Sequence, residues 1–328
     1  MNPDTILYLS GSDVASALDH VDVVGAVADA LAAHGRGETI LPAEAYLGWE
    51  HDGETLRSLA MPGSIDSVPG LKIINANPAN PNRGLLRASG LTVLFEPASG
   101  RPLCVMEGAR ISCLRTAAVT AIATDLLATA PVERLALIGT GALARCHLRL
   151  LAPRLPRLRE ICVYDLDRQR ATGLAADHSV TICDSAEQAI RGAQVIVTVT
   201  TATTGYIRYD WLRPGALLVN VSLDDPLPEV FLRAHRLYVD DWSLVAADER
   251  GVLGRLHRRG TVCGPDDHGG RAVDGELGQL LAGSRQGRSH PDEIIVVNPF
   301  GLAIEDLAIA KHVYRHATGS RLGTQLNR

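Results

Sequence analysis

The chain has 328 residues, of which 46% are hydrophobic and 21% charged, and its formal net charge is −5 at pH 7. This length predicts about two domains, and the apolar content excludes a disordered chain. The acidic balance excludes the basic surface that a nucleic-acid partner requires. The chain does not open on a secretory signal, and it has no run of about 20 apolar residues, so we expect a folded cytoplasmic protein with no membrane partner.

The chain has only two lysines, Lys72 and Lys311, among its 32 basic side chains. Lys can give up and take back a proton near neutral pH, whereas Arg cannot be deprotonated. In a chain that otherwise uses arginine, Lys72 is therefore a candidate for proton transfer, because it lies within an otherwise apolar segment.

The sequence predicts no metal site. Its six cysteines show no CxxC spacing and are expected to be reduced, buried small residues. His312 and His316 lie four residues apart but have no third ligand nearby in the sequence, so we interpret them as one face of a helix.

The first 110 residues have the pattern of a mixed sheet. Short apolar runs alternate with turn signals such as Pro62-Gly63 and Ser99-Gly100, which is typical of strands joined by tight turns. An Ala/Thr-rich segment from Arg110 to about Ala130 predicts a helix that leads into a second domain. The earlier elements are predicted as a helix at 22–34 and strands at 41–49, 56–61, 71–76, 91–96 and 103–106.

From about residue 131 to residue 300, apolar strands alternate with helical segments. This alternation is typical of a parallel sheet that is covered on both faces. The predicted fold class is therefore α/β, with a Rossmann-type doubly wound parallel sheet beside an α+β domain that holds the mixed sheet. We expect 251–291 to be rich in loops and a final helix at 302–317. The strands are predicted at 134–138, 161–165, 180–183, 195–200, 216–221, 236–240 and 294–298.

A glycine turn follows the strand at 134–138. It reads Gly139-Thr-Gly141-Ala-Leu-Ala144 and opens a helix, and the next strand ends at Asp165. This acid follows at close to the spacing of about 20 residues that the dinucleotide-binding motif requires. The glycines would admit a pyrophosphate at the helix N-terminus, and Asp165 would bind ribose hydroxyls, which favours NAD over NADP. A flavin, whose ADP half fits the same motif, is the alternative.

Several short motifs follow one another in a fixed order. They are Gly70-Leu-Lys72, Ser99-Gly-Arg-Pro-Leu103, Arg115-Thr-Ala-Ala118, Gly139-Thr-Gly-Ala142 and Asn298-Pro-Phe-Gly-Leu-Ala-Ile-Glu-Asp306. The run resembles the ornithine cyclodeaminase/μ-crystallin family over nearly the whole chain. Arg87-Ala-Ser89 and Val221-Ser-Leu-Asp-Asp225 are most similar to one branch, the N-(2-amino-2-carboxyethyl)-L-glutamate dehydrogenases of 2,3-diaminopropionate biosynthesis.

The resemblance implies roles for individual residues. Lys72 and an acid after the fifth Rossmann strand would flank the substrate α-carbon. Asp225 is favoured as that acid and Asp224 is the alternative. Amine oxidation needs such a pair in any case, because one group must take a proton and one must activate water. The predicted cofactor contacts are Gly139, Thr140, Gly141, Ala142, Leu143, Asp165, Thr200, Thr201, Ser222 and Arg115.

Substrate carboxylates require basic partners. Arg115 would hold one through its bidentate fork, and Arg87 is a second candidate. Many family members place a base shortly after a proline upstream of the lysine strand, whereas here Pro42-Ala-Glu44 offers an acid. Either Arg57 takes that role or the substrate differs.

The predicted function is NAD-dependent oxidation of the C–N bond of an amino acid. The first candidate reaction converts N-(2-amino-2-carboxyethyl)-L-glutamate to 2,3-diaminopropionate and 2-oxoglutarate through a hydrolysed imine. The alternatives are an ornithine cyclodeaminase, an imine reductase or alanine dehydrogenase, and a nucleotide-binding protein without catalysis. We predict a substrate-binding and dimerisation domain at 1–115, with the C-terminal helix 302–328 packing back on it, and an NAD-binding domain at 116–301. The resemblance implies a homodimer formed through the N-terminal sheet.

Overall fold

The computed structural model describes residues 4–222 and 224–327, so Leu223 of the Val221–Asp225 motif lies outside the described residues. The chain forms two compact units, Met1–Arg115 with Gly301–Arg328, and Thr116–Phe300. No described helix is long and apolar enough to cross a membrane.

The helices and strands are numbered in chain order. The strands are β1 Thr5–Leu9, β2 Ala45–His51, β3 Glu54–Ile65, β4 Val68–Ala76, β5 Ala88–Phe95, β6 Pro102–Glu107, β7 Arg134–Ile138, β8 Glu160–Tyr164, β9 Thr181–Ile182, β10 Val195–Thr198, β11 Leu217–Asn220, β12 Arg236–Val239, β13 Val262–Cys263, β14 Arg271–Ala272, β15 Gly275–Glu276, β16 Ile295–Val297 and β17 Thr324–Asn327. The helices are α1 Gly11–Leu18, α2 Val23–Gly35, α3 Ala109–Leu127, α4 Ala142–Leu151, α5 Arg168–Asp177, α6 Ala186–Ile190, α7 Pro228–Arg233, α8 Trp242–Ala247, α9 Val252–Arg258, α10 Leu277–Leu281 and α11 Ala303–Ser320.

The first unit is built on a seven-stranded mixed sheet in the order β17-β1-β6-β5-β4-β3-β2. Its neighbours are antiparallel except for β1 and β6. Helix α11 packs on β3, β4 and β5. The approach is close because β4 carries Gly70, where a Cβ atom would lie only 2.4 Å from Leu307 Cδ2. The predicted mixed sheet is confirmed.

The second unit contains an eight-stranded sheet in the order β15-β12-β16-β11-β10-β7-β8-β9, and its neighbours are all parallel. The segment β9-β8-β7-β10-β11 has the 3-2-1-4-5 order of a doubly wound fold. The chain therefore reverses its direction of winding between β7 and β10, which is where such folds bind ligands at the carboxyl ends of their strands. The predicted α/β fold class is confirmed.

Two details of the sequence prediction are wrong. The sequence analysis did not predict β1, α1 or β17. Most of the segment 251–291 lies outside helices and strands, as expected, although it also contains α9, α10 and three short strands. Cys113 and Cys146 are disulfide-bonded, so the expected reduced state does not hold for them. The free thiols are Cys104, Cys162, Cys183 and Cys263, all of them buried.

The second unit buries a histidine, His147 on α4. Its Nε2 lies 3.0 Å from Thr120 Oγ1 and its Nδ1 lies 2.8 Å from the Leu143 carbonyl oxygen. Burial lowers the pKa of His147 to about 4. The unfolded chain binds this proton below about pH 6.5 whereas the folded chain does not, so stability falls as the pH drops from about 6.5 to 4.

We expect this histidine alone to remove about 3 kcal/mol of stability at pH 4. Denaturant unfolding of wild type and His147→Gln at pH 7 and pH 4 measures the difference. The matched control is His268→Gln, which changes an exposed histidine of the same unit. An equal acid sensitivity of wild type and His147→Gln would contradict the assignment.

Candidate active site

Lys72 is buried in the first unit, with 1% of its surface exposed. Strand β4 positions its side chain towards α11, where Nζ donates to Asp306 Oδ2 at 2.9 Å, and it also donates to Ser112 Oγ at 3.0 Å. Burial lowers the pKa of Lys72 to about 8, and the charge of Arg115 lowers it too, while Asp306 acts in the opposite direction. A lysine with this pKa exchanges a proton near neutral pH.

Arg115 lies in the same cluster. Its Nη1 is 2.9 Å from Glu305 Oε2, and its Nε is 3.2 Å from Asp306 Oδ2. Both carboxylates are fully buried and lie in the first turn of α11, where Glu305 also accepts the N–H of Leu302 at 3.2 Å. The cluster thus holds two cations and two carboxylates, and these charges compensate one another.

Sequence reasoning missed three members of this cluster, Ser112, Glu305 and Asp306. A signal was present, because Glu305 and Asp306 interrupt a helix that is otherwise apolar at its start. The predicted site residues Lys72 and Arg115 are brought together, with Asp306 Oδ2 between them.

Arg57 and Arg87 lie farther along the sheet of the first unit, near the end of β4 that follows Lys72. Arg57 pairs in register with Ala76, four residues beyond Lys72 on β4, which is about 13 Å along the strand. Arg87 directly precedes β5. Burial lowers the pKa of Arg87, and the Arg57 charge acts in the same direction, so these two guanidinium groups lie close enough to interact.

The glycine turn in the second unit has the geometry expected for a dinucleotide site. Gly139 has φ +93°, its N–H donates to the Tyr164 carbonyl at 2.8 Å, and a Cβ atom there would lie 2.8 Å from the Val199 carbonyl oxygen. Gly141 is the N-cap of α4, and a Cβ atom on it would meet nothing within 4 Å. The turn therefore requires the first glycine and leaves open space above the second.

Asp165 lies beside this turn at the end of β8. Its Oδ2 accepts the backbone N–H of Thr140 at 2.7 Å and the Thr140 hydroxyl at 2.8 Å, and its Oδ1 accepts the N–H of Asp167. Ala142 and Leu143 begin α4. The acid, the open glycine and the helix N-terminus fit the adenosine and pyrophosphate of a dinucleotide.

Asp225 is fully buried after β11 and is held by hydroxyl groups. Its Oδ1 accepts from Thr200 Oγ1 and from the Tyr206 hydroxyl, both at 2.7 Å, and its Oδ2 accepts from Ser222 Oγ. Burial, together with the Asp225 charge, raises the pKa of Tyr206, so the phenol remains a donor. Asp225 thus joins the loops that follow β10 and β11.

Asp224 has a different environment. Its Oδ1 accepts from Arg255 Nη2 at 2.7 Å, and its side chain is partly exposed. The structure therefore gives different environments to the two residues, Asp225 and Asp224, between which the sequence analysis did not decide as the catalytic acid. Thr200 and Ser222 are brought to Asp225, while Thr201 is exposed on the loop after β10.

The comparison with known proteins identifies the family. The model of the ornithine cyclodeaminase/mu-crystallin family matches residues 6–321. The chain belongs to this family.

Three relatives match nearly the whole chain. The N-((2S)-2-amino-2-carboxyethyl)-L-glutamate dehydrogenase of Staphylococcus aureus is 34% identical, with 98% of each chain covered. The crystal structure of CmnK is 41% identical with a TM-score of 0.92 and covers 99% of this chain and 98% of its own. An archaeal alanine dehydrogenase dimer with bound NAD is 28% identical with a TM-score of 0.86, covering 98% of this chain and 99% of its own.

Because Asp225 and Asp224 have different environments, replacing each of them by Asn should change the free energy of unfolding by a different amount. Asp225→Asn replaces an acceptor of three hydroxyl donors in a buried place, and we expect a loss of about 1–3 kcal/mol in the free energy of unfolding. Asp224→Asn weakens a partly exposed ion pair and should cost at most about 1 kcal/mol. Chemical denaturation of the two variants measures this difference, and equal losses would contradict it.

Proposed function

We propose that the protein is an NAD-dependent oxidoreductase that oxidises the C–N bond of an amino acid. The observation that carries the proposal is the buried Lys72, which has a pKa of about 8 and a carboxylate and a guanidinium group beside it. A buried group that exchanges a proton near neutral pH suits the deprotonation that accompanies amine oxidation. The fit of the glycine turn and of Asp165 to a dinucleotide supports the choice of cofactor.

The substrate we propose is N-(2-amino-2-carboxyethyl)-L-glutamate. The support for it is the likeness to the S. aureus dehydrogenase over 98% of each chain. NAD, when bound, would supply the acceptor for the hydride of the glutamyl α-carbon, and the substrate nitrogen would lose a proton. Water then adds to the resulting imine, and the C–N bond breaks to give 2-oxoglutarate and 2,3-diaminopropionate.

Each predicted site residue has a proposed role. Lys72 Nζ accepts the proton that the substrate nitrogen loses, and Arg115 binds a substrate carboxylate. Arg57 and Arg87 are proposed contacts for the further carboxylates of this tricarboxylic substrate. Asp225 is proposed as the acid that activates water, and the partly exposed Asp224 is the alternative. Turnover of the Asp225→Asn and Asp224→Asn variants decides between them.

The proposed cofactor contacts belong to the second unit, except for Arg115, which belongs to the first unit. The backbone of the turn and the start of α4 would receive the pyrophosphate, and Asp165 the ribose hydroxyls. The loops after β10 and β11 would lie along the nicotinamide half, because they stand at the carboxyl ends of the strands. The full set is Gly139, Thr140, Gly141, Ala142, Leu143, Asp165, Thr200, Thr201, Ser222 and Arg115.

The role of Lys72 predicts the outcome of a charge-conserving substitution. Lys72→Arg keeps the positive charge but removes the exchangeable proton. We expect a loss of turnover of ~10²–10⁴-fold, the usual contribution of a positioned acid or base. NADH formation with N-(2-amino-2-carboxyethyl)-L-glutamate, followed at 340 nm, measures it.

The matched control is Lys311→Arg, which changes the second lysine of the same unit. Its turnover should stay near that of wild type. Near-normal turnover of Lys72→Arg would show that only a positive charge is required and would remove the proton-transfer role.

Asp165 predicts the choice between the two nicotinamide dinucleotides. Its carboxylate would meet the 2′-phosphate of NADP as a like charge, so wild type should bind NAD more tightly. Asp165→Ser should narrow the preference for NAD over NADP by about tenfold or more, because the like charge is removed. The substitution also removes the acceptor of two hydrogen bonds from Thr140, so the ratio of the two affinities is the quantity to compare. Calorimetric titration with NAD and NADP gives both affinities, and equal affinities of wild type for the two would refute the role of Asp165.

We further propose a cytoplasmic homodimer, with the first unit as the substrate-binding and dimerisation domain. Side chains alternate between the faces of a strand, so Lys72 faces α11 while its neighbours Leu71 and Ile73 face the other way. That opposite face also carries the exposed side chains of Leu47, Trp49 and Leu91 (62%, 39% and 41% exposed). Large apolar side chains exposed on one face of a sheet are a mark of protein–protein interfaces, and a solved relative is a dimer.

A charge on this apolar face should disrupt the dimer. We expect the double variant Leu47→Glu/Leu91→Glu to elute as a monomer in size-exclusion chromatography with light scattering, because both carboxylates would be desolvated in the interface. Leu232→Glu, at an exposed apolar position of α7, is the control and should elute as wild type. A wild-type monomer, or a double variant that remains dimeric, would exclude this interface.

A further inference from the structure

The cluster around Lys72 depends on one carboxylate oxygen. Asp306 Oδ2 lies 2.9 Å from Lys72 Nζ and 3.2 Å from Arg115 Nε. Within the part of the chain that the structure describes, Asp306 Oδ1 is buried and accepts no hydrogen bond. The second carboxylate, Glu305, binds the other side of Arg115 through Nη1 and also the start of α11.

This arrangement places two cations against the same atom. The ammonium and the guanidinium repel each other, and the Lys72 side chain is only 2% exposed, so the shared anion offsets both the repulsion and the cost of burying the ammonium. Lys72 Nζ also donates to Ser112 Oγ, and this partner is neutral.

We propose that Asp306 is a positioning residue for the proposed reaction: its Oδ2 holds Lys72 and Arg115 together, and it sets both the location and the protonation of Lys72. The inference rests on the proposed function, because it concerns the group that handles the substrate proton. It also explains why two acids lie in the first turn of a helix whose first eight residues, Ala303–Ala310, are otherwise apolar.

Charged and polar side chains from two helices face Lys72. Helix α11 contributes Asp306 and Glu305, and α3 contributes Arg115 and Ser112. Of the charged groups, the carboxylates favour the charged ammonium and Arg115 disfavours it. Removing the charge of Asp306 must therefore lower the pKa of Lys72, and removing the charge of Arg115 must raise it.

The pKa of Lys72 can be measured directly, because the chain has only two lysines. With lysine labelled at the ε-carbon, the NMR spectrum of the full-length protein has two ε-methylene signals, and Lys311→Arg assigns them. Titration of each signal gives the pKa of Lys72 and of Lys311 separately. The chain also offers a matched control, because Lys311 forms an ion pair with Asp66 in the same unit.

In Asp306→Asn we expect the pKa of Lys72 to fall by about one pH unit or more. The pH profile of kcat should shift in the same way: the limb that reports the titration of Lys72 should move to lower pH by the same amount. Misplacement of the amine should reduce kcat by about 10²-fold, with a smaller change in KM. Asp66→Asn should leave the Lys72 titration and kcat as in wild type.

Arg115→Gln keeps the inference testable if Asp306→Asn does not fold. It removes the like charge that shares Oδ2, so the pKa of Lys72 should rise. An unchanged Lys72 titration in either folded variant, or a loss of melting temperature alone with kcat intact, would overturn the role of Asp306.

The titration needs no substrate and no NAD. If wild type fails to oxidise any amino acid, the proposed function is wrong, while the titrations still show whether Asp306 controls Lys72. If wild type is active and the titrations of Lys72 do not respond, the proposed function stands and the positioning role fails.

Discussion

The burial of the Lys72 ammonium is the constraint on which the first unit depends. An isolated ammonium in such a place costs several kcal/mol, so a carboxylate must reach it from another element. Helix α11 supplies this carboxylate in its first turn, and the small Gly70 lets the helix lie directly on β4. Because Asp306 is shared with Arg115, the same helix start also fixes the group proposed to bind a substrate carboxylate.

Features that depend on residues close in sequence were predictable. The parallel sheet follows from strands that are apolar on both faces, and the glycine turn, α4 and Asp165 lie within about 30 residues of one another. By contrast, β1 and β17 are short, and β17 is polar. They become strands through pairing between opposite ends of the chain, which no local pattern reveals.

The candidate site was only partly predictable for the same reason. Lys72 was found because the chain uses lysine so sparingly, Thr200 because it follows a strand, and Asp225 through the family resemblance. Asp306 lies 234 residues from its partner Lys72. Acids in the first turn of a helix are ordinarily explained by the helix dipole, so their place in an otherwise apolar helix start did not by itself identify them as counter-charges of Lys72. The tertiary fold gives them this role.

The central claim is that a hydride leaves the glutamyl α-carbon for NAD while the C–N bond is cleaved. The most direct measurement uses N-(2-amino-2-carboxyethyl)-L-glutamate with deuterium at that carbon, followed by mass analysis of all products. Our account predicts deuterium in the reduced NAD, together with unlabelled 2-oxoglutarate and 2,3-diaminopropionate. Deuterium returned to an amino-acid product without net NADH, or no reaction with this substrate, would contradict it.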